Sequence, residues 1–210
     1  MTVIRTGISW TRSTWNPTAG CSKVSPGCDN CYAAAMFTRT GLGFGHAFTD
    51  LKLHSERLEH VKRFRPYVGP DGRLLPHLVF VNSISDIMHE AVPDEFVHQV
   101  FDAMETQPKT IFQTLTKRPV RLRQFLVARY GNSGVPTHIW IGVSCEDNRV
   151  AKRLDILRSI KDRTGGEMTA FVSVEPIIGK TDEMDFSGLS WVITGGESGG
   201  RARAQLAVCL

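Results

Sequence analysis

Short apolar runs alternate with amphipathic segments along most of this chain. The runs are His77–Val81, Thr110–Leu115, His138–Val143, Thr169–Val174 and Leu189–Thr194, each rich in Val, Ile, Phe or Trp. A strand exposed on one face alternates apolar and polar residues. A run that is apolar nearly throughout reads instead as a strand buried on both faces.

The segments between them carry helix signals. Pro93-Asp94-Glu95 makes a good first turn, since proline loses no needed donor there and the acids face the positive end of the helix dipole. Phe96, Val97, Val100, Phe101 and Met104 then form one apolar stripe. Leu122, Phe125 and Leu126 do the same for a basic segment ended by Gly131, and Asp147 or Asn148 is placed to cap a helix carrying Val150, Leu154 and Leu157. An earlier helix is expected from Cys31 to Gly41.

Strands separated by crossover helices imply βαβ units and a parallel sheet. With a short first strand expected near Ile8–Trp10, about six strands result. Residues 43–76 are the least regular and read as an insertion or extended loop with one helix near Leu51–Phe64. The expectation is one α/β domain over residues 1–210.

Composition agrees with this. The chain has 210 residues, 41% hydrophobic and 22% charged, which are globular values that exclude collagen-like and wholly disordered classes. No stretch approaches the roughly 18 to 20 apolar residues of a membrane span, and no apolar h-region follows Arg5, so no membrane partner and a cytoplasmic location are expected. The net charge of +4 is too mild to name a partner. Its distribution says more, because Lys109, Lys117, Arg118, Arg121, Arg123 and Arg129 lie in a stretch free of acids. Such a segment either faces phosphate or is balanced by acids elsewhere in the fold.

In parallel α/β folds, ligands bind at the carboxyl ends of the strands. Each run here ends in polar groups: Asn82-Ser83-Ile84-Ser85-Asp86, Thr116-Lys117-Arg118, Ser144-Cys145-Glu146-Asp147, Glu175-Pro176 and Gly195-Gly196-Glu197-Ser198. Carboxylates at Asp86, Glu146, Glu175 and Glu197 beside Lys117 and Arg118 suit a ligand bearing both an amine and an acid.

Cys21, Cys28 and Cys31 fall in one loop with spacing C-x6-C-x2-C, while Cys145 reads as a small buried residue and Cys209 as incidental. An odd, clustered set argues for a metal or cluster over a disulfide framework. Thiolates select zinc or an iron–sulfur cluster. Structural zinc is normally closed by four ligands, and the nearest further Cys or His in sequence is His46. A [4Fe–4S] cluster on three thiolates leaves one iron open to a ligand. Spacing alone leaves cluster, zinc and free thiols open.

The order of a first strand, a three-cysteine loop ending Cys31-Tyr32-Ala33, then alternating strands and helices resembles the radical S-adenosylmethionine (SAM) enzymes. The loop has three more residues between its first two cysteines than their usual spacing. More closely, the chain resembles the bacteriophage "Gp thirty-seven/Gp sixty-eight" family, also described as a three-Cys-motif family. The matching segments include Thr14-Trp15-Asn16-Pro17, Val24-Ser25-Pro26-Gly27-Cys28, Ser85-Asp86, His89-Glu90, Leu115-Thr116-Lys117-Arg118-Pro119, Val174-Glu175-Pro176 and Gly195-Gly196-Glu197-Ser198-Gly199.

The resemblance implies a partial (β/α) barrel with a [4Fe–4S] cluster on Cys21, Cys28 and Cys31, binding SAM and generating a 5′-deoxyadenosyl radical. Ser85, Asp86, Ser144, Glu146, Gly195, Gly196 and Glu197 are the expected cofactor-binding residues, and Lys117 and Glu175 the catalytic ones. Thr116-Lys117-Arg118-Pro119 and the segment from Ser144 to Arg153 are similar to the spore-photoproduct-lyase-like branch, which acts on DNA. Nucleic acid, an electron donor and a family-specific protein are the partners implied. Alternatives are a zinc-stabilised nucleic-acid-binding phage protein and an inactive family member. The family pattern fades after Arg203, so residues 204–210 read as a divergent tail and the chain as truncated at its C-terminus.

Overall fold

The computed structural model describes residues 6–38, 45–198 and 202–203; the expected tail, Cys209 and the helix end at Gly41 lie outside them. Among the described residues the strands are β1 (Ser13–Trp15), β2 (Thr18–Ala19), β3 (Lys52–Leu53), β4 (Tyr67–Val68), β5 (Leu74–Leu75), β6 (His77–Val81), β7 (Thr110–Thr116), β8 (Ile139–Ser144), β9 (Ala170–Val174) and β10 (Trp191–Thr194). The α-helices are α1 (Tyr32–Thr38), α2 (Asp94–Glu105), α3 (Pro119–Tyr130) and α4 (Lys152–Arg163).

Six strands form one sheet in the order β1-β6-β7-β8-β9-β10, with every neighbouring pair parallel. Spatial order follows chain order with no reversal. That is the winding of a (β/α) barrel, here a partial one, and not of a doubly wound sheet.

The sheet is buried on both faces for two different reasons. Alternate residues of a strand point to opposite sides. Val79, Val81, Phe112, Ile139, Ile141, Val143, Ala170, Val172 and Val174 point outward and join Val97, Val100, Phe101, Leu122, Leu126, Leu154 and Leu157 from the helices in one core. Each such Val, Leu, Ile or Phe side chain stabilises the fold by about 1.5 to 3 kcal/mol. The alternate row faces the barrel interior, and its aromatic members Phe80, Trp140, Phe171 and Trp191 meet there, joined by Trp10.

The later strands and helices fall where the apolar pattern puts them, but the first strand does not. β1 is Ser13–Trp15, not Ile8–Trp10. Trp10 is drawn under the barrel against Phe80, while Ser13-Thr14-Trp15 pairs with Val79-Phe80-Val81 and turns Trp15 into the outer core. Residues 45–76 are also more structured than composition implies. They hold a 3-10 segment at Ser55–Arg63, a β4–β5 hairpin, and β3, which pairs antiparallel with β2.

Four of the six cations in the acid-free basic segment are answered by acids, two of them by acids on α2 and Lys117 by Glu146. Arg129 reaches Asp102 at 2.5 Å and Glu105 at 2.9 Å, Arg121 reaches Asp94 at 2.5 Å, and Arg118 reaches Asp86 at 3.0 Å and Glu90 at 2.9 Å. These four charges serve helix packing and the strand ends rather than a phosphate-facing surface. No helix among the described residues is long and apolar enough to cross a membrane.

Candidate functional site

The cysteine loop sits at the carboxyl end of the sheet because its first residue is pinned there. Gly20 bridges to Ser85 just past β6, and the Cys21 amide donates to the Phe48 carbonyl at 2.8 Å. A Cβ on Gly20 would lie 2.8 Å from the carbonyl oxygens of Phe48 and Asp50, and its φ of +91° also favours glycine. Thus the irregular segment before β4 supports the loop. Pro26–Cys28 then forms a 3-10 turn, and Cys31 lies one residue before α1.

Three charged clasps hold the loop from three strand ends. At the first, Arg118 after β7 donates to Cys21 Sγ at 3.7 Å and to Ser22 Oγ at 2.9 Å. At the second, the Glu146 carboxylate after β8 is fully buried, bound by Arg153 at 2.8 Å and Lys117 at 3.5 Å, and accepts from Ser25 Oγ. A Cβ on Gly27 would lie 2.6 Å from Glu146 Oε1, so only glycine fits where loop and carboxylate meet. At the third, Glu197 after β10 accepts from Asn30 Nδ2 at 3.1 Å and pairs with Arg203, which also donates to the Pro26 carbonyl at 3.0 Å.

The electrostatics follow from these partners. Burial, and behind it the Asp86 carboxylate, pushes the Cys21 thiol up to about 11 against the pull of Arg118. Burial alone would raise the Glu146 carboxyl, but Lys117 and Arg153 together hold it below its ordinary range. The Arg203 fork brings Glu197 down to about 2. Burial raises the Cys145 thiol to about 12, as expected of an inert small residue.

Below the loop lies a cavity of about 740 Å³. Its lining contains all three loop cysteines together with Ser85, Asp86, Lys117, Ser144, Glu175, Gly196 and Glu197 of the expected residues. Glu146 and Gly195 stand behind that wall. Gly195 has no room for a Cβ beside Glu175 Oε1, so it seats that carboxylate, which also accepts from Ser173 Oγ at 3.0 Å. Asp86 is saturated by Met88 N, Thr116 Oγ1, Lys117 N and Arg118, which marks it as a structural carboxylate within the wall. His89 faces Ser22 Oγ at 2.8 Å.

Sequence reasoning missed Arg153 and Arg203, the cations that answer Glu146 and Glu197. It also missed Asn82, which is 2% exposed at φ +63° and lines the cavity with no hydrogen-bond partner for Oδ1. The signal for Arg153 was available, since an arginine in the first turn of a helix opposes the favourable dipole and needs a carboxylate.

Among the described residues, no three His, Cys, Asp or Glu side chains converge closely enough to grip one metal ion. A single zinc needs four ligands at about 2.0 to 2.3 Å. Cys21, Cys28 and Cys31 line one cavity, and their soft sulfur donors are the kind that a thiolate-held group would use.

The fold and site define a class: an α/β protein with a partial barrel of parallel strands and a three-cysteine loop over its carboxyl end. Solved structures agree on the fold. A spore photoproduct lyase variant with bound AdoMet and dinucleoside spore photoproduct matches at TM-score 0.59 and 16% identity, covering 94% of this chain and 60% of that one. Spore photoproduct lyase complexed with dinucleoside spore photoproduct matches at TM-score 0.57 and 15% identity, covering 84% and 49%. The chain thus spans about half the length of these lyases. No curated protein matches it. The chain belongs to the family described as "Protein of unknown function (DUF5131)", whose model matches residues 5–207.

Proposed function

We propose that the protein is a radical SAM-type enzyme in which Cys21, Cys28 and Cys31 ligate a [4Fe–4S] cluster, AdoMet fills the cavity and the substrate class is nucleic acid. One observation carries this reading: the three thiols lie on the rim of one cavity at the carboxyl ends of six parallel strands. Held by Cys21, Cys28 and Cys31, such a cluster would supply one-electron reduction of AdoMet bound in the cavity.

The chain's own residues bind and orient. Lys117, 19% exposed at the cavity wall, is assigned the methionine carboxylate, and Glu175 the ammonium. Ser85, Ser144 and Gly196 offer hydrogen bonds along the same wall. Asp86, Glu146 and Glu197 act one step back, holding the groups that hold the cluster. Phe80 and Trp10 form an apolar floor that excludes water. The electron comes from an external donor protein.

A nucleic-acid substrate is supported by the likeness to a lyase solved with a dinucleoside lesion, and not by Arg121 and Arg129 of the basic segment, which pair with α2. The sequence motifs support placing the chain with the phage three-cysteine family. Anaerobic reconstitution tests the reading. About four iron and four sulfide per chain, with 5′-deoxyadenosine released from AdoMet on reduction and faster with ultraviolet-damaged DNA, is the expected result. Stoichiometric zinc without iron overturns it.

A further inference from the structure

We propose that Arg118 is a positioning residue for Cys21 that, as one half of a charge pair with Asp86, sets the reduction potential of the group the thiols hold. The inference rests on the cluster reading above and adds to it a residue that governs electron transfer.

The guanidinium is fixed on every side. NH1 donates to Asp86 Oδ2 at 3.0 Å and to Cys21 Sγ at 3.7 Å, Nε to Glu90 Oε2 at 2.9 Å, and NH2 to Ser22 Oγ at 2.9 Å and Ser22 O at 3.3 Å. Its side chain is only 10% exposed, and a guanidinium does not lose its proton in a protein. A permanent positive charge with an N–H aimed at sulfur therefore sits beside the first thiol. Asp86 sets a negative charge behind it, locked by Met88 N, Thr116 Oγ1 and Lys117 N. The neighbour of Cys28 is different, a neutral Ser25 hydroxyl at 4.0 Å.

Potentials of thiolate-held iron–sulfur groups follow net charge and hydrogen bonds at the sulfurs. A cationic donor stabilises the more negative, reduced state, and a nearby carboxylate opposes it. Arg118→Gln and Asp86→Asn must then move the potential in opposite directions, the first down and the second up. A tenfold change in the reduction equilibrium corresponds to 59 mV for a one-electron couple, and each single variant is expected to reach at least that. The double variant Asp86→Asn/Arg118→Gln keeps the parent's net charge, leaves only the exposed Glu90 without its cation, and is expected to fall between them.

The test is potentiometric titration of the reconstituted full-length chain, followed by electron paramagnetic resonance, with iron and sulfide counted in each variant. Opposite shifts at unchanged iron content support the proposal. So does loss of iron from Arg118→Gln that the double variant regains, since the positioning role predicts it. Equal potentials, or shifts of one sign in both single variants, overturn it while the cluster reading stands. A parent chain that takes up no iron overturns both.

Discussion

The two ends of the same six strands are built from the same inward-facing rows and do opposite things. Below the cavity the rows are rings, with Trp10 4.7 Å from Phe80 at its floor and Trp191 5.9 Å from both Trp140 and Phe171. At the carboxyl end the continuing rows become Asn82, Lys117, Ser144, Ser173 and Glu175. Gln113 Oε1 in the ring layer and Asn82 Oδ1 at the polar end are both buried without a hydrogen-bond partner among the described residues, but of the two only Asn82 lines the cavity. The base therefore carries folding and the top carries the candidate site, with the clasps on the cysteine loop joining the two.

The largest effect is expected at the base. Phe171→Ala should cost about 3 to 5 kcal/mol by urea unfolding while iron per folded chain stays unchanged, and a loss of iron would break the division. Glu146→Gln tests the join: it leaves Arg153 and Lys117 short of their carboxylate and should cost about 3 kcal/mol. It should also lower iron content, although Glu146 does not line the cavity. Cys28→Ala belongs wholly to the top, so iron should fall to background with stability changed by less than about 0.5 kcal/mol. Glu175→Gln should weaken AdoMet binding by about tenfold, equivalent to roughly 1.4 kcal/mol, with the melting temperature unmoved.

The smallest effect concerns acid. Glu197 has its pKa lowered from 4.5 to about 2 by Arg203, so its contribution is fully present above about pH 4.5 and fades as the pH falls toward 2. Glu197→Gln should flatten that part of the pH–stability curve, read as the difference from the parent chain in proteolysis of the cysteine loop. A difference that grows above pH 5 would contradict the assignment.

The later sheet strands and helices were legible in the sequence because both faces of each strand are apolar and each helix keeps one stripe. The first strand was not, since two tryptophans within six residues compete for the strand position and only packing decides that Trp10 goes below and Trp15 outside. The carboxyl-end location of the polar residues and the common cavity of the three cysteines follow from parallel-strand logic. What the sequence hid is which carboxylates face the cavity. Glu146 and Glu175 occupy similar positions past their strands, yet Arg153 turns the first inward as a clasp and Gly195 seats the second at the wall. The balance of the basic segment was hidden likewise, because Asp94, Asp102 and Glu105 lie on another helix.

The central claim is that three thiols hold a cluster with one iron open to AdoMet. Electron paramagnetic resonance of the reconstituted, reduced protein with and without AdoMet tests it most directly. The account predicts a reduced-cluster signal that changes shape when AdoMet is added and that Cys28→Ala abolishes. A signal indifferent to AdoMet, or a folded protein holding zinc and no iron, would contradict it.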